Sequence, residues 1–310
     1  MRIVFFGSDE FAAVHLEALL AAGQQVAACV TGPDKPQGRG MKLTVPPIKQ
    51  MALDRQIPCL QPASLKDKAV TEALKAYQAD IFVVVAYGYL LTQEILDIPR
   101  FLCMNVHGSL LPKYRGAAPV NWAVLNGDNE TGVSIQKMVL RLDAGDIIAQ
   151  EKMTIGGDED AGQLRGRMSR VGAGLLVKIL KEHPQGDFPL IPQDQALVTY
   201  APKLTKDMGR IDWKKTAASV NNQVRGLQPW PGAYTFYKGK MLKIIKLLVT
   251  AEAGGGFSPG QVIKTDKNGF YVACADKALL VKEVQPEAGR VMPAASFVAG
   301  YKVIQGSLLE

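Results

Sequence analysis

What this chain of 310 residues lacks narrows its chemistry first. It has three histidines and four cysteines. Cys29, Cys59, Cys103 and Cys274 each lie inside an apolar, strand-like run, and no two stand at metal-ligand or redox-pair spacing. Reduced core thiols in a cytoplasmic protein, and no metal, are therefore expected. No run of about 18 apolar residues occurs, so no transmembrane helix and no membrane partner are expected. The opening MRIVFFGSDEF has one Arg and then four apolar residues before Gly7, too few for the apolar region of a secretory signal. The dinucleotide fingerprint Gly-x-Gly-x-x-Gly is missing after the first strand. Gly7 is followed by Ser-Asp-Glu-Phe-Ala, and acidic residues there repel a pyrophosphate. A nicotinamide dehydrogenase is disfavoured.

What is present fills a core. The chain is 47% hydrophobic and 21% charged, ordinary for a globular protein, and its length suits two unequal domains. The net charge of +7 is unevenly held. Residues 201–310 carry 16 Lys/Arg against 8 Asp/Glu, and residues 1–200 carry 20 against 21. A basic module joined to a neutral one points to a polyanionic partner, although a basic face also serves solubility alone.

The first 150 or so residues alternate short apolar runs with helical patterns. Arg2–Phe6, Val26–Val30, Ile57–Leu60, Ile81–Ala86 and Leu102–Val106 read as strands. Phe11–Ala22, Pro47–Arg55, Asp67–Tyr77 and Ala117–Leu125 read as helices. Strands buried on both faces and separated by helices describe an α/β, doubly wound, mostly parallel Rossmann-like sheet. Its ligand crevice lies beyond the C-terminal ends of the strands. Gly132–Val139 and Ile147–Met153 then read as strands around a turn at Asp143–Asp146, and Ala161–Lys181 as a long helix. Residues 184–210, rich in Pro, Gln and Asp without periodicity, read as a linker. Lys214–Val224 is one short helix, and the rest is expected to be strand and turn. Asn268-Gly269 signals a hairpin there, and many short strands in about 100 residues suggest a small β-barrel.

Reactive residues concentrate at 105–119, Asn-Val-His-Gly-Ser-Leu-Leu-Pro-Lys-Tyr-Arg-Gly-Ala-Ala-Pro, which begins where an apolar strand ends. Asn105 and His107 are two apart on that strand and project to one side. An amide and an imidazole converging there suit a carbonyl oxygen becoming an oxyanion, or else they brace a buried loop. Asp143 lies 36 residues beyond His107 in Leu142-Asp143-Ala144-Gly145-Asp146. Aspartates in tight turns usually bond their own backbone. One that faces the histidine instead orients it and moves a proton. Thr31–Val45 carries Lys35, Arg39 and Lys42 and is expected to be irregular, either a solvated connection or a basic finger for phosphates. Tyr87, Gly88, Tyr89 and Leu90 leave a strand at the ligand edge, where they flank a flat heterocycle or pack the core.

Together these residues resemble the folate-dependent formyltransferases over essentially the whole chain. Asn105-Val-His107-Gly-Ser109-Leu-Leu-Pro112 is similar to the family's catalytic and folate-binding signature, and Leu142–Asp146 to the element bearing its catalytic aspartate. The resemblance implies 10-formyltetrahydrofolate as formyl donor. Asn105 and His107 would hold the tetrahedral oxyanion, and Asp143 would assist proton transfer. Ser109, Leu110, Leu111 and Pro112 would line the folate site, with Tyr87, Gly88, Tyr89 and Leu90 beside the pterin. Within the family, Pro33–Leu43 resembles the loop with which the tRNA-directed branch grips the acceptor end. That branch implies initiator methionyl-tRNA as partner, contacted by Lys35, Arg39 and Lys42. Relatives acting on amino-sugar nucleotides share the two-domain plan and are the alternative. The implied organisation is a Rossmann-like formyltransferase domain at 1–189, a linker at 190–206 and an OB-like, tRNA-binding β-barrel at 207–310. Nothing demands more than a monomer.

Overall fold

The computed structural model describes residues 1–37, 42–254 and 256–310. Two compact units interleave along the chain. The first is Met1–Pro119, Thr131–Met153 and Arg165–Ala201; the second is Val120–Glu130, Thr154–Leu164 and Pro202–Glu310.

In chain order the elements begin β1 (Arg2–Gly7), α1 (Glu10–Ala21), β2 (Gln25–Val30), β3 (Lys35–Gln37), β4 (Lys42–Thr44), α2 (Pro47–Asp54) and β5 (Cys59–Leu60). They continue with α3 (Lys68–Ala76), β6 (Ile81–Val85), α4 (Gln93–Leu96), β7 (Leu102–His107), β8 (Arg115–Gly116) and α5 (Pro119–Leu125). β9 (Glu130–Lys137), β10 (Ile147–Thr154), α6 (Ala161–Glu182) and β11 (Tyr200–Ala201) follow. The main sheet runs β10-β9-β7-β6-β1-β2-β5. The five strands from β5 to β7 are parallel, and β9 joins β7 antiparallel. This is the expected mostly parallel sheet. Its central strands are mostly apolar because both faces are covered, and β6 is apolar and buried along its whole length. The chain leaves β1 through a helix cap: the Asp9 carboxylate accepts from the Ala12 amide at 3.2 Å and pairs with Arg165 at 2.6 Å.

Thr31–Val45 departs from expectation. β3 and β4 form an antiparallel ribbon with Lys35 opposite Thr44 and Gln37 opposite Lys42. Proline and glycine argue against regular structure in the sequence, yet Pro36 sits in a two-stranded ribbon, where its missing N–H need not break a ladder.

The second unit adds α7 (Ala217–Gly226), β12 (Ala233–Tyr237), β13 (Lys240–Ala253), β14 (Val262–Asp266), β15 (Gly269–Ala273), β16 (Lys277–Pro286), β17 (Met292–Pro293) and α8 (Ala294–Tyr301). Its antiparallel sheet runs β12-β13-β16-β15-β14, with β17 on β16. The expected hairpin joins β14 to β15, its two turn residues being Lys267 and Asn268, and Gly269 opens the next strand. Residues 307–310 close the sheet. Leu309 bridges Tyr237 at the β12 edge, and Leu308 bridges Gln261 next to β14. The Phe236 and Glu310 backbones exchange hydrogen bonds at 2.9 Å in both directions, and Leu309 N–H donates to Gly260 O at 2.8 Å. The interior packs Val220, Ile244, Phe270, Val281, Phe297 and Leu309 together. α8 corrects the expectation of strand and turn alone. Its run Ala-Ala-Ser-Phe-Val-Ala-Gly-Tyr buries Ala294 and Phe297, and Pro293 in front of it suits a helix start.

Candidate functional site

The C-terminal ends of the parallel strands carry the groups the sequence singled out. β1 delivers Ser8, whose hydroxyl donates to Tyr87 O at 3.3 Å and accepts from the Gly32 amide at 3.4 Å. One serine thus ties together the loops leaving β1, β2 and β6. The Tyr87 ring is core: it meets Phe6 edge-on at 5.4 Å, and burial pushes its hydroxyl pKa up to about 12. Tyr89 and Leu90 are exposed, Leu90 at 74%, and the chain reaches them through positive φ at Ala86 and Gly88. In this segment Tyr89, Leu90 and backbone face solvent, and Tyr87 packs inward.

β7 delivers Asn105 and His107, and β9 sets Gln136 opposite Asn105 and Ser134 opposite His107. Residues paired across neighbouring strands share a face, so all four side chains gather on one side of the sheet. Each then takes a distinct job. His107 Nε2 lies 2.9 Å from Tyr114 O. A carbonyl only accepts, so Nε2 carries a proton and Nδ1 points the other way. There Nδ1 meets the Asp143 carboxylate at 3.7 Å, with His107 and Asp143 both almost fully buried. The Asn105 amide is half-buried and has no hydrogen-bond partner among the described residues. It is the donor left free to take an incoming oxygen.

Asp143 is not a self-capping turn residue. Its Oδ2 accepts from the Gly116 amide and its Oδ1 from Gln136 Nε2, each at 2.9 Å. The backbone around it is bent to suit, with φ +50° at Asp143 itself. A side chain at Gly145 would run into Lys137 O, and one at Gly116 would stand 2.6 Å from Ala201 O. Glycine is required at both close approaches.

The folate-loop residues divide between scaffold and surface. Ser109 is buried and donates to Lys113 O at 2.6 Å, closing its own loop. Ser134 Oγ donates to Ser109 O at 2.6 Å and accepts from the Leu111 amide at 3.0 Å, while Gln150 reaches Leu111 O at 2.8 Å. Leu111 is buried, and Leu110 and Pro112 are partly exposed. Lys35 and Lys42 lie on the two strands of the β3–β4 ribbon. Arg39 lies outside the described residues.

Sequence reasoning misses Ser134 and Gln136, although a signal exists: they alternate with the apolar Val133 and Ile135 in one buried strand. It also reads 190–206 as a linker without a part in the site. Gln193, from that stretch, donates to Asp143 O at 2.9 Å and Gly145 O at 2.7 Å. Its Oε1 accepts from Arg115 Nε and NH2 at 3.0 and 2.7 Å. Arg115 is 1% exposed, and burial holds its guanidinium below the ordinary value, with Arg141 adding to the effect. Among the described residues no group of His, Cys, Asp and Glu is placed to hold a metal, and no helix is long and apolar enough to cross a membrane.

Comparison with known proteins bears on this geometry. The formyl transferase family model matches residues 1–180, and the formyl transferase C-terminal domain model matches 203–302. A methionyl-tRNA formyltransferase of Moorella thermoacetica is 46% identical over 309 residues, covering 100% of this chain and 99% of the relative. One from Citrifermentans bemidjiense is 44% identical over 100% of this chain and 96% of the relative. Among solved structures, WlaRD, a sugar 3N-formyl transferase with dTDP and 5-N-formyl-THF, matches with a TM-score of 0.69. It is 20% identical, over 92% of this chain and 97% of that one. HypX from Aquifex aeolicus matches at 0.68 with 17% identity, and the chain spans 49% of its length and 99% of its own. At these identities the structural matches speak for the fold alone.

Proposed function

The chain belongs to the methionyl-tRNA formyltransferase family, and from that premise we propose that it moves the formyl group of 10-formyltetrahydrofolate onto the amino group of methionyl-initiator-tRNA. One observation carries the chemistry: a free Asn105 amide beside a His107–Asp143 pair whose every other contact is already committed. Asn105 donates to the formyl oxygen as the amine adds to the formyl carbon and the oxygen gains negative charge. His107, its Nε2 held by Tyr114 O, turns Nδ1 toward Asp143, and this pair receives the one proton that the amine gives up. Asp143 sustains the charged imidazole that results; the bond between the formyl carbon and the donor nitrogen then breaks, and the pair returns the proton to that nitrogen as tetrahydrofolate leaves.

Leu110 and Pro112, with Tyr89, Leu90 and the backbone at Tyr87 and Gly88, offer the apolar edge a folate needs. Ser109 and Leu111 shape that edge from beneath. Lys35, Arg39 and Lys42 contact the acceptor end of the tRNA. The basic residues beyond 206 take the tRNA body. The domain reading that goes with this is 1–189 for catalysis, 190–206 for connection and 207–310 for tRNA. The protein works as a cytoplasmic monomer, and the proposed steps pass through no metal.

The test is transfer of labelled formyl from 10-formyltetrahydrofolate to charged initiator tRNA, with a nucleotide amino-sugar in a parallel reaction. Label in the tRNA alone is the expected result. Label in the sugar alone, the acceptor class suggested by the shared fold with WlaRD, would retain the chemistry and replace the acceptor.

A further inference from the structure

We propose that Gln193 is a positioning residue for formyl transfer, acting by clamping the Asp143 turn to the buried guanidinium of Arg115. The inference rests on the reading of Asp143 as the proton-transfer group.

The stretch expected to be a bare connection is threaded back through the first unit. Ile191 exchanges backbone hydrogen bonds with Ile147 at 2.8 and 2.9 Å. Thr199 Oγ1 accepts from the Tyr114 amide at 2.9 Å, and Thr199 O from the Arg115 amide at 2.9 Å. β11 then pairs with β8. These contacts fix Tyr114, whose carbonyl sets the His107 tautomer, and Gly116, whose amide holds Asp143. Gln193 is the one side chain of the stretch that reaches the Asp143 turn itself.

Its two ends do different work. The amide nitrogen donates to two carbonyls of the turn, Asp143 O and Gly145 O. The amide oxygen receives Arg115 through two N–H groups, and Gln195 Oε1 lies 3.4 Å from the same guanidinium. Gln193 itself is only 7% exposed. Among the described residues no carboxylate is hydrogen-bonded to Arg115; glutamine oxygens take its side-chain N–H groups, and Asp143 acts on it only through space. Such an arrangement is rigid, because breaking it would strand a charge out of water. Asp143 sits at positive φ, and its carboxylate is held from elsewhere in the fold, by the Gly116 amide and Gln136 Nε2. A clamp on its carbonyl therefore sets where its carboxylate stands, and a misplacement of about 1 Å costs on the order of 10²-fold in rate.

The experiment is a double-mutant cycle read in single turnovers. Gln193→Ala is expected to lower the rate of formyl transfer at least about tenfold while KM for tRNA and donor stays within about twofold. Gln193→Glu keeps an acceptor for Arg115 and loses both donors to the turn. It is expected to be folded and comparably slow, which isolates the clamp from the pairing of Arg115. In the Asp143→Ala background, Gln193→Ala should cost less than about twofold, because there is no carboxylate left to position. An equal loss in both backgrounds, or a wild-type rate for both Gln193 variants, would overturn the inference and leave Asp143 standing. A near-normal rate for Asp143→Ala alone would sink the reading of the site, and the clamp with it. Should Gln193→Ala fail to fold, the cycle is run with Gln193→Glu and the same outcomes decide.

Discussion

Arg115 of the first unit and the barrel lysines of the second hold positive charge in opposite ways. In the first, Arg115 is buried among glutamines and Arg165 is spent on Asp9 and the face of Phe11. In the second, Lys238, Lys240, Lys246, Lys267, Lys277, Arg290 and Lys302 are exposed on a closed barrel whose interior is almost wholly apolar. Buried charge fixes geometry, because every neighbour must satisfy it; exposed charge attracts without fixing anything. Chemistry that needs atoms placed within an ångström belongs with the first arrangement. Recognition of a large polyanion belongs with the second.

The largest effect that would break this comparison is at the sheet edge. His107→Ala and Asp143→Ala are each expected to lower the single-turnover rate by about 10²- to 10³-fold, the usual loss for an oxyanion or proton-transfer group. Circular dichroism should show both variants folded. A rate within tenfold of wild type in either would mean that the buried network is scaffolding and the chemistry lies elsewhere.

Next comes the barrel, whose integrity depends on residues 307–310. Leu309 is 3% exposed and bridges the β12 edge. Leu309→Ala should therefore destabilise the second unit by about 2–4 kcal/mol, as buried leucines commonly do. Urea unfolding followed by Trp213 fluorescence reads it, since Trp213 is buried in that unit and donates to Thr235 Oγ1. An unchanged midpoint would show that the sheet holds without its closing strand.

Acid separates the units a third way. All three histidines, at 15, 107 and 183, fall in the first unit. His15 is fully buried with Nδ1 bonded to Phe11 O, and its Nε2 has no partner near Val106, Val133 and Gly172. Burial lowers its pKa from 6.5 to about 4. The folded value lies below the unfolded one, so its contribution is complete above pH 6.5 and is lost as pH falls toward 4. At pH 5 the loss is on the order of 2 kcal/mol. In the second unit the acid-titrating groups held below their ordinary value are Asp266, by the Asn268 backbone, and Asp276, by the Ala217 amide, which matter only below about pH 4. Denaturant melts at pH 7 and 5 should show the first unit softening alone, and His15→Leu should remove that difference. Equal softening of both units would refute the assignment.

The same contrast explains what the sequence made legible. The parallel sheet, Asn105, His107 and Asp143 could be read because strand runs and motif residues are local facts. Gln193 could not: it stands 50 residues from Asp143 in a stretch without periodicity, and side-chain bonds to backbone carbonyls leave no pattern. The closing of the barrel was hidden likewise, since Leu308–Glu310 is too short a run to announce a strand and pairs with two distant edges. The β3–β4 ribbon and α8 were missed for a third reason. Proline, glycine and a short apolar run were weighed locally, and tertiary packing outvoted them.

The smallest effect sharpens the comparison most, because it asks whether exposed charge acts as a unit. Arg39→Ala is expected to raise KM for tRNA about tenfold and leave KM for the folate donor unchanged. Each phosphate contact contributes close to one to the slope of log affinity against log salt, so losing Arg39 should flatten that slope by about one. Lys240→Ala and Lys267→Ala on the barrel should each flatten it by no more, with the catalytic rate at saturating tRNA untouched. Were Arg39→Ala to lower donor binding equally, Arg39 would serve the folate site and not the tRNA. Were the barrel variants silent and the wild-type slope already flat, the excess positive charge of residues 201–310 would serve solubility, and recognition would rest with the segment bearing Arg39 alone.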